Sequence, residues 1–305
     1  MSFINFARAH GVDIDQSKFF ASDKIRRTGT VDKPRSTNGA FFWDGQRGWV
    51  MDWSGDARAM WYEDPHAKPW TDQEKRDWAL KRQTANADKD LSYELAAERA
   101  MITLRNAKPS THPYLQIKGF PDEKMLVLDN KLLIPMRNVV TNKIQGYQSI
   151  YWDAPNMKYE KKMLPGMRAK NAVLYMGARD ASEIWLTEGY ATGLSVRDAL
   201  RSTGSIASVV VCFSASNLIQ VADQIKGQRY VFADNDPNKK HPETGAEVGM
   251  MGERSAIQTG LPWTMADEVG WDANDLHKKH GLFAVAKKIM DLRRYVLTRG
   301  ETTTV

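Results

Sequence analysis

One cysteine, Cys212, in 305 residues leaves no partner for an intramolecular disulfide and no basis for a multi-cysteine zinc site. Its place in the apolar run Val209-Val210-Val211-Cys212-Phe213 suits a small buried hydrophobe. No apolar run reaches the ~18 residues that a membrane-spanning helix needs. The first residues, Met1 to Arg8, lack the charged-then-apolar order of a secretory signal. The expected location is the cytoplasm, with no membrane partner. No Gly-x-x-x-x-Gly-Lys-Ser/Thr element occurs, which excludes a P-loop and a helicase motor. Internal repeats and low-complexity blocks are also missing.

What is present describes an ordinary globular chain, 42% hydrophobic with 10% aromatic residues. The net charge of +6 and a pI near 9.2 permit an anionic partner without requiring one. Basic clusters stand at Lys24-Ile25-Arg26-Arg27, Lys158 to Lys170, Lys239-Lys240 and Arg293-Arg294.

The chain divides by composition. Residues 1–64 read as a small β-rich module. Phe3 to His10 suggests a helix ended by Gly11, and aromatic stretches broken by Asn38-Gly39 and Asp44-Gly45 suggest hairpins. Residues 65–108 read as a helical connector that opens on Thr71 and Glu74 at capping-box spacing. One long helix, or two broken near Asn86 to Asp90, would satisfy it. From about Pro109 short strands begin, with Lys131 to Arg137 and Ile144 to Tyr151 paired around Thr141-Asn142. Strands at Ile184–Thr187, Ala207–Phe213 and Arg229–Ala233 then alternate with helices at Tyr190–Leu200, Asn217–Ile225 and about Glu247–Thr259. Apolar strands separated by helices predict a parallel sheet covered on both faces, with ligands bound beyond the carboxyl ends of its strands.

Two of those strands run into carboxylates. Ile184-Trp185-Leu186-Thr187 leads to Glu188-Gly189, and Tyr230-Val231-Phe232-Ala233 leads to Asp234-Asn235-Asp236-Pro237. In a parallel sheet both ends share an edge. Side chains alternate along extended backbone, so Asp234 and Asp236 face one side and Asn235 the other. Converging carboxylates suit a hard cation with oxygen ligands, such as Mg²⁺.

Glu188-Gly189-Tyr190-Ala191-Thr192 after an apolar strand, followed by Asp234-Asn235-Asp236, resembles the TOPRIM signature of DnaG-type primases, topoisomerases and some nucleases. His112-Pro113-Tyr114-Leu115 with Lys118-Gly119, Leu133 to Arg137 with Gln145 to Gln148, and Gly270-Trp271-Asp272-Ala273-Asn274-Asp275-Leu276 resemble further segments of phage and plasmid primases. The resemblance covers roughly residues 1 to 294 and is most specific over 183 to 236. It implies an α/β fold (α+β overall), a TOPRIM-type sheet with parallel core strands and flanking helices. The small β-rich module and the helical connector would precede it. A first subdomain of a primase core would span 109–180, a TOPRIM catalytic domain 181–294, and a tail 295–305.

The same resemblance implies a DNA primase, a nucleotidyltransferase that makes short RNA primers on a single-stranded DNA template from nucleoside triphosphates. Glu188 would act as acid/base and metal ligand, and Asp234 and Asp236 would hold Mg²⁺ or Mn²⁺. Asp272 or Asp275 would complete the acidic site. Lys161, Lys162, Arg168 and Lys170, in the basic stretch before the strand at Ala172, would contact nucleotide or template, with Arg137 a second phosphate-gripping candidate. Any coupled unwinding would come from a separate replicative helicase.

The N-terminal module departs from the zinc-binding form of many primases, since it has no cysteine and no zinc is expected. Phe41, Trp43, Trp49 and Trp53 read as its core. Exposed aromatics interleaved with Arg26, Arg27, Arg35 and Arg47 would instead suit single-stranded DNA. His277-Lys278-Lys279-His280 reads as a solvated helix face. Two other functions remain open: a TOPRIM-type metal-dependent nuclease, and a non-catalytic module that binds single-stranded DNA in replication.

Overall fold

A computed structural model describes residues 1–53, 58–237, 239–240, 247–249 and 251–300. The side chains of the Lys239-Lys240 cluster and residues 301–305 lie outside the described residues. The chain forms two compact units, residues 1–83 with 240–248, and residues 84–239 with 249–305. No described helix is long and apolar enough to cross a membrane.

In the first unit, α1 (Phe3–Ala9) starts where the Ser2 hydroxyl accepts the Asn5 N–H at 3.3 Å. Gly11, at φ +79°, turns the chain out of it. Strands β1 (Val12–Asp13), β2 (Ser22–Thr30), β3 (Gly39–Trp43), β4 (Arg47–Asp52) and β5 (Met60–Glu63) follow as an antiparallel sheet in chain order. The β3–β4 turn holds because the Asp44 carboxylate accepts the N–H groups of Gln46 and Arg47 at 2.8 and 2.6 Å. One face of the sheet packs Phe41, Val50, Trp43, Met60 and Tyr62 against Phe3 and Ala7 of α1. Trp53 does not belong to this core. It is 52% exposed, and Trp49 lies on the opposite face to Val50 because neighbours along a strand point to opposite sides.

The connector is one helix, α2 (Asp72–Asn106), with no break near Asn86. It contains no glycine or proline to interrupt it. Its start is the expected box: the Thr71 N–H donates to Glu74 Oε2 at 2.7 Å, and the Glu74 N–H to the Thr71 hydroxyl at 3.2 Å. Farther along, Ala96 is buried with Met136 and Met167. The boundary between the two units falls within this helix.

The second unit contains β6 (Lys108–Ser110), α3 (Pro113–Ile117), β7 (Met125–Leu128), β8 (Lys131–Asn138), β9 (Ile144–Asp153), β10 (Lys158–Met163) and β11 (Ala172–Met176). Then come β12 (Glu183–Thr187), α4 (Tyr190–Ser202), β13 (Ser208–Val211), α5 (Ala215–Ala222) and β14 (Gln228–Ala233). After the short pair β15 (Lys239–Lys240) and β16 (Glu247–Gly249), the chain forms α6 (Met251–Gln258), β17 (Trp263–Met265), α7 (Ala273–His280) and α8 (Leu282–Gly300). The helix expected from Glu247 thus begins at Met251, because residues 247–249 are extended. Residues 295–300, expected as tail, continue α8.

Ten of these strands share one sheet, whose main path runs β10-β9-β8-β11-β13-β12-β14-β17. β13, β12, β14 and β17 are parallel to one another, whereas β11 joins β13 antiparallel. The strands expected in two subdomains, before and after residue 180, are therefore hydrogen-bonded into a single sheet. β12, β13 and β14 are buried on both faces, which is why they read as nearly unbroken apolar runs. Trp185, Val209 and Tyr230 pack beneath α4, α7 and α8. Ile184, Leu186, Val210 and Val231 pack beneath α5 and α6. Gly193 permits the close seating of α4, since a Cβ there would meet Met176 and Val211 side-chain atoms at 2.7 Å.

Candidate active site

β12 and β14 are hydrogen-bonded neighbours running in the same direction, so Glu188 and Asp234 leave the sheet at one edge. Gly189 caps α4 with no side-chain hydrogen bond. The Glu188 carbonyl is held by the Phe213 N–H at 2.8 Å. Beyond β14 Asn235 turns away from the cleft, and Asp236, whose charge acts on Glu188 and Asp234, does not line it. The buried Asn235 amide donates to the Ala266 carbonyl at 2.9 Å and its N–H to the Trp271 carbonyl at 2.9 Å. Asn235 therefore ties down the loop leading to α7, and the flanking carboxylates are turned elsewhere.

That loop delivers Asp272 to the same cleft. Asp272 is the N-cap of α7, with one carboxylate oxygen accepting the N–H groups of Asn274 and Asp275 at 2.6 and 2.9 Å. Its other oxygen accepts the Thr192 hydroxyl at 2.9 Å. The result is a cleft of about 180 Å³ lined by Glu188, Asp234, Asp272, Thr192, Phe213, Gln148 and Lys161, among others.

Burial, and then the negative charge of Asp236, push the Glu188 carboxyl up to about 7, against the opposing pull of Lys161 and the Ala215 N–H. Burial, followed by Glu188, Asp272 and Asp236, pushes Asp234 well above the usual carboxylate range. One buried oxygen of Asp234 has no hydrogen-bond partner among the described residues. An ionised carboxylate in that position lacks the donor or cation that would stabilise it. Among the described residues no three His, Cys, Asp or Glu side chains stand close enough to enclose a metal ion by themselves. The arrangement is an open acidic edge, not a closed cage. Such an edge fits a hard cation that takes one or two carboxylates and fills its other positions with water and phosphate.

The remaining expected site residues separate. Lys161 lines the cleft, while Lys162, one residue along β10, faces the other way over the Tyr151 ring at 5.9 Å. Arg168 is ion-paired with Asp90 of α2 and lies over the Tyr93 ring at 4.8 Å. Arg137 donates to the Asn142 carbonyl at 3.1 Å, in the turn between β8 and β9. Lys170 is exposed, and its carbonyl accepts the Gln145 amide at 3.1 Å. Asp275 closes the capping box by accepting the Asp272 N–H at 3.3 Å, and it does not line the cleft. His277 is not on a solvated face: it is half-buried, its ring 5.4 Å from Phe120 and its Nδ1 3.2 Å from the Ser195 hydroxyl.

Gln148, Thr192 and Phe213 line the cleft without having been singled out. Thr192 lies one helical turn after Glu188 and so had a positional signal. Phe213 had none, since it adopts φ +65°, a left-handed conformation rare for a bulky side chain.

No family model matches this chain, and no curated protein matches it. Among solved structures, the DnaG catalytic core is similar with a TM-score of 0.35 and 13% identity, over 53% of this chain and 52% of that one. The chain thus spans about half the length of that structure. A chain from the complex of bacteriophage T7 lagging-strand DNA polymerase with primase domains of two gp4 subunits, bound to an RNA/DNA hybrid and dTTP, is similar with a TM-score of 0.36 and 16% identity. That match covers 61% of this chain and 91% of the other. Likeness of this size leaves residue roles to the geometry of the site itself.

Proposed function

We propose that this chain is a TOPRIM-type DNA primase that makes short RNA primers on single-stranded DNA in the cytoplasm. The observation that carries the reading is the buried, partnerless oxygen of Asp234 beside Glu188 and Asp272 at the carboxyl edge of the parallel strands. The order of motifs read from the sequence supports it. Glu188, Asp234 and Asp236 are the residues to hold Mg²⁺ or Mn²⁺, with Asp272 alongside. When bound, such a cation supplies charge neutralisation of a triphosphate and polarisation of the phosphoryl oxygens.

The protein's own groups divide the remaining work. Glu188, with its carboxyl near neutrality, is suited to take the proton from an attacking 3′-hydroxyl oxygen. Lys161, which also lines the cleft, would present a positive charge to the phosphates. Thr192 and the α7 backbone fix Asp272, so its position does not depend on ligand. Positioning and electrostatics suffice for phosphoryl transfer, which asks little covalent chemistry of the protein.

The test is primer synthesis on single-stranded DNA with labelled nucleoside triphosphates and Mg²⁺ or Mn²⁺. Wild type should yield labelled oligonucleotides, and Glu188→Gln and Asp234→Asn should lose on the order of 10²–10³-fold or more in rate. Template cutting without synthesis would move the answer to a nuclease. Template binding with neither activity, even with a replicative helicase supplied, would leave a binding module.

A further inference from the structure

In the first unit the strand register aligns three rings. Phe42 of β3 is paired with Trp49 of β4, and Trp49 with Trp61 of β5. Side chains paired across antiparallel strands stand about 4.5–5.5 Å apart, so these rings form a row across three adjacent strands. The next row, Phe41, Val50 and Met60, enters the core. Phe42, Trp49 and Trp61 therefore lie on the outer face, with Trp61 67% exposed. An antiparallel sheet with one face on a core ordinarily places polar residues on the other. A row of aromatics there is a binding feature until shown otherwise.

The positions flanking the row along its strands carry the second observation. On one side Trp53 is exposed, and the Arg27 guanidinium lies 5.3 Å from its ring. On the other, Arg47 lies 5.2 Å from the Trp70 ring and is kept in place by Glu63 at 2.8 Å. Flat rings flanked by guanidinium groups match a ligand that is itself planar along its length and negatively charged along its backbone. An aliphatic helix or a second apolar sheet would leave the exposed Arg27 guanidinium facing an apolar surface.

We propose that this outer face binds single-stranded nucleic acid, stacking bases on Phe42, Trp49 and Trp61 while Arg27 meets a phosphate. The surface belongs to the first unit and the acidic edge to the second, and binding to the rings needs neither metal nor nucleoside triphosphate. It would serve a primase as a template grip, but it does not depend on the catalytic reading.

The experiment is anisotropy of a fluorescein-labelled oligothymidylate titrated with the full chain in EDTA, without nucleotides. Trp61→Ala should weaken binding roughly five- to 100-fold, the range for losing one base stack. Arg27→Ala should lower the slope of log affinity against log salt by about 0.7, the share of one phosphate contact on a single strand. Both side chains are exposed, so the far-ultraviolet dichroism of each variant should match wild type, and Asp234→Asn should bind as wild type does. Unchanged affinity in Trp61→Ala and Arg27→Ala overturns the proposal, as does equal binding of duplex. A wild-type dimer that Trp61→Ala dissociates in sedimentation overturns it in favour of a second copy. A chain that grips the oligonucleotide through Trp61 but makes no primers would keep this inference and remove the catalytic one.

Discussion

The two larger sheets of this protein differ in what they leave exposed. In the five-stranded sheet every pairing is antiparallel, and one face carries the core while the other carries rings. In the larger sheet the parallel strands β13, β12 and β14 are covered by helices on both sides, and their carboxylates sit at an edge. Connectivity causes the difference. A hairpin returns along the same plane and leaves a face open, whereas a parallel return needs a crossover helix that covers the face. Ligands can then approach only where the strands end. A sheet's pairing thus decides whether its face or its edge is free to bind.

The sharpest way to break that comparison is to remove a tryptophan from each sheet. Trp185 in β12 is fully buried and stacks on Tyr230 with ring centroids 4.8 Å apart. Trp185→Ala should destabilise the second unit by about 3–5 kcal/mol, through lost burial and the cavity left behind. Chemical denaturation followed by circular dichroism would read this, and a loss below about 1 kcal/mol would mean that the doubly covered strands are less tightly packed than their burial implies.

The edge of the second sheet should show its strain through pH. Glu188 is raised from 4.5 to about 7, so the unfolded chain loses this proton first as pH rises. Stability from this group is full below pH ~4.5 and is lost progressively as pH rises through about 7, by roughly 3 kcal/mol. Glu188→Gln should therefore stabilise the metal-free chain at pH 8 by about that amount and converge with wild type near pH 4. Thermal melts in EDTA across that range would show it. A variant that parallels wild type at every pH would mean that the carboxylate is solvated in the folded state.

Much of this architecture was legible because burial writes simple patterns. The strands at Ile184–Thr187 and Arg229–Ala233 announce themselves as apolar runs, and a carboxylate after each is placed at the edge by parallel pairing alone. Other features depend on partners far along the chain. Arg168 looked like a phosphate ligand, but its partner Asp90 lies on a helix 78 residues earlier. Lys161 and Lys162 are alike in sequence, and only the pairing of β10 with β9 decides which one meets the cleft. The union of β11 with β13 is a long-range pairing that no local pattern encodes. The aromatic cluster at Phe41-Phe42-Trp43 is legible from alternation, whereas the outward placement of Trp49 and Trp53, expected in the core, is not. Consecutive residues of a strand cannot all face the core, so some of these rings had to lie outside.

The smallest expected effect tests that last point within one sheet. Val50 is fully buried, and Trp61, in the adjacent row on the opposite face, is 67% exposed. Val50→Ala removes two buried methyl groups' worth of contact and should destabilise the first unit by about 1–3 kcal/mol. Trp61→Ala removes far more atoms, yet should change stability by no more than about 0.5 kcal/mol, as surface substitutions away from special features do. Side-chain size and stability loss would then run in opposite order, which only a one-sided sheet produces. Equal or larger loss in Trp61→Ala would mean that the outer row is packed in solution, and the sheet would then be covered on both faces like its larger counterpart.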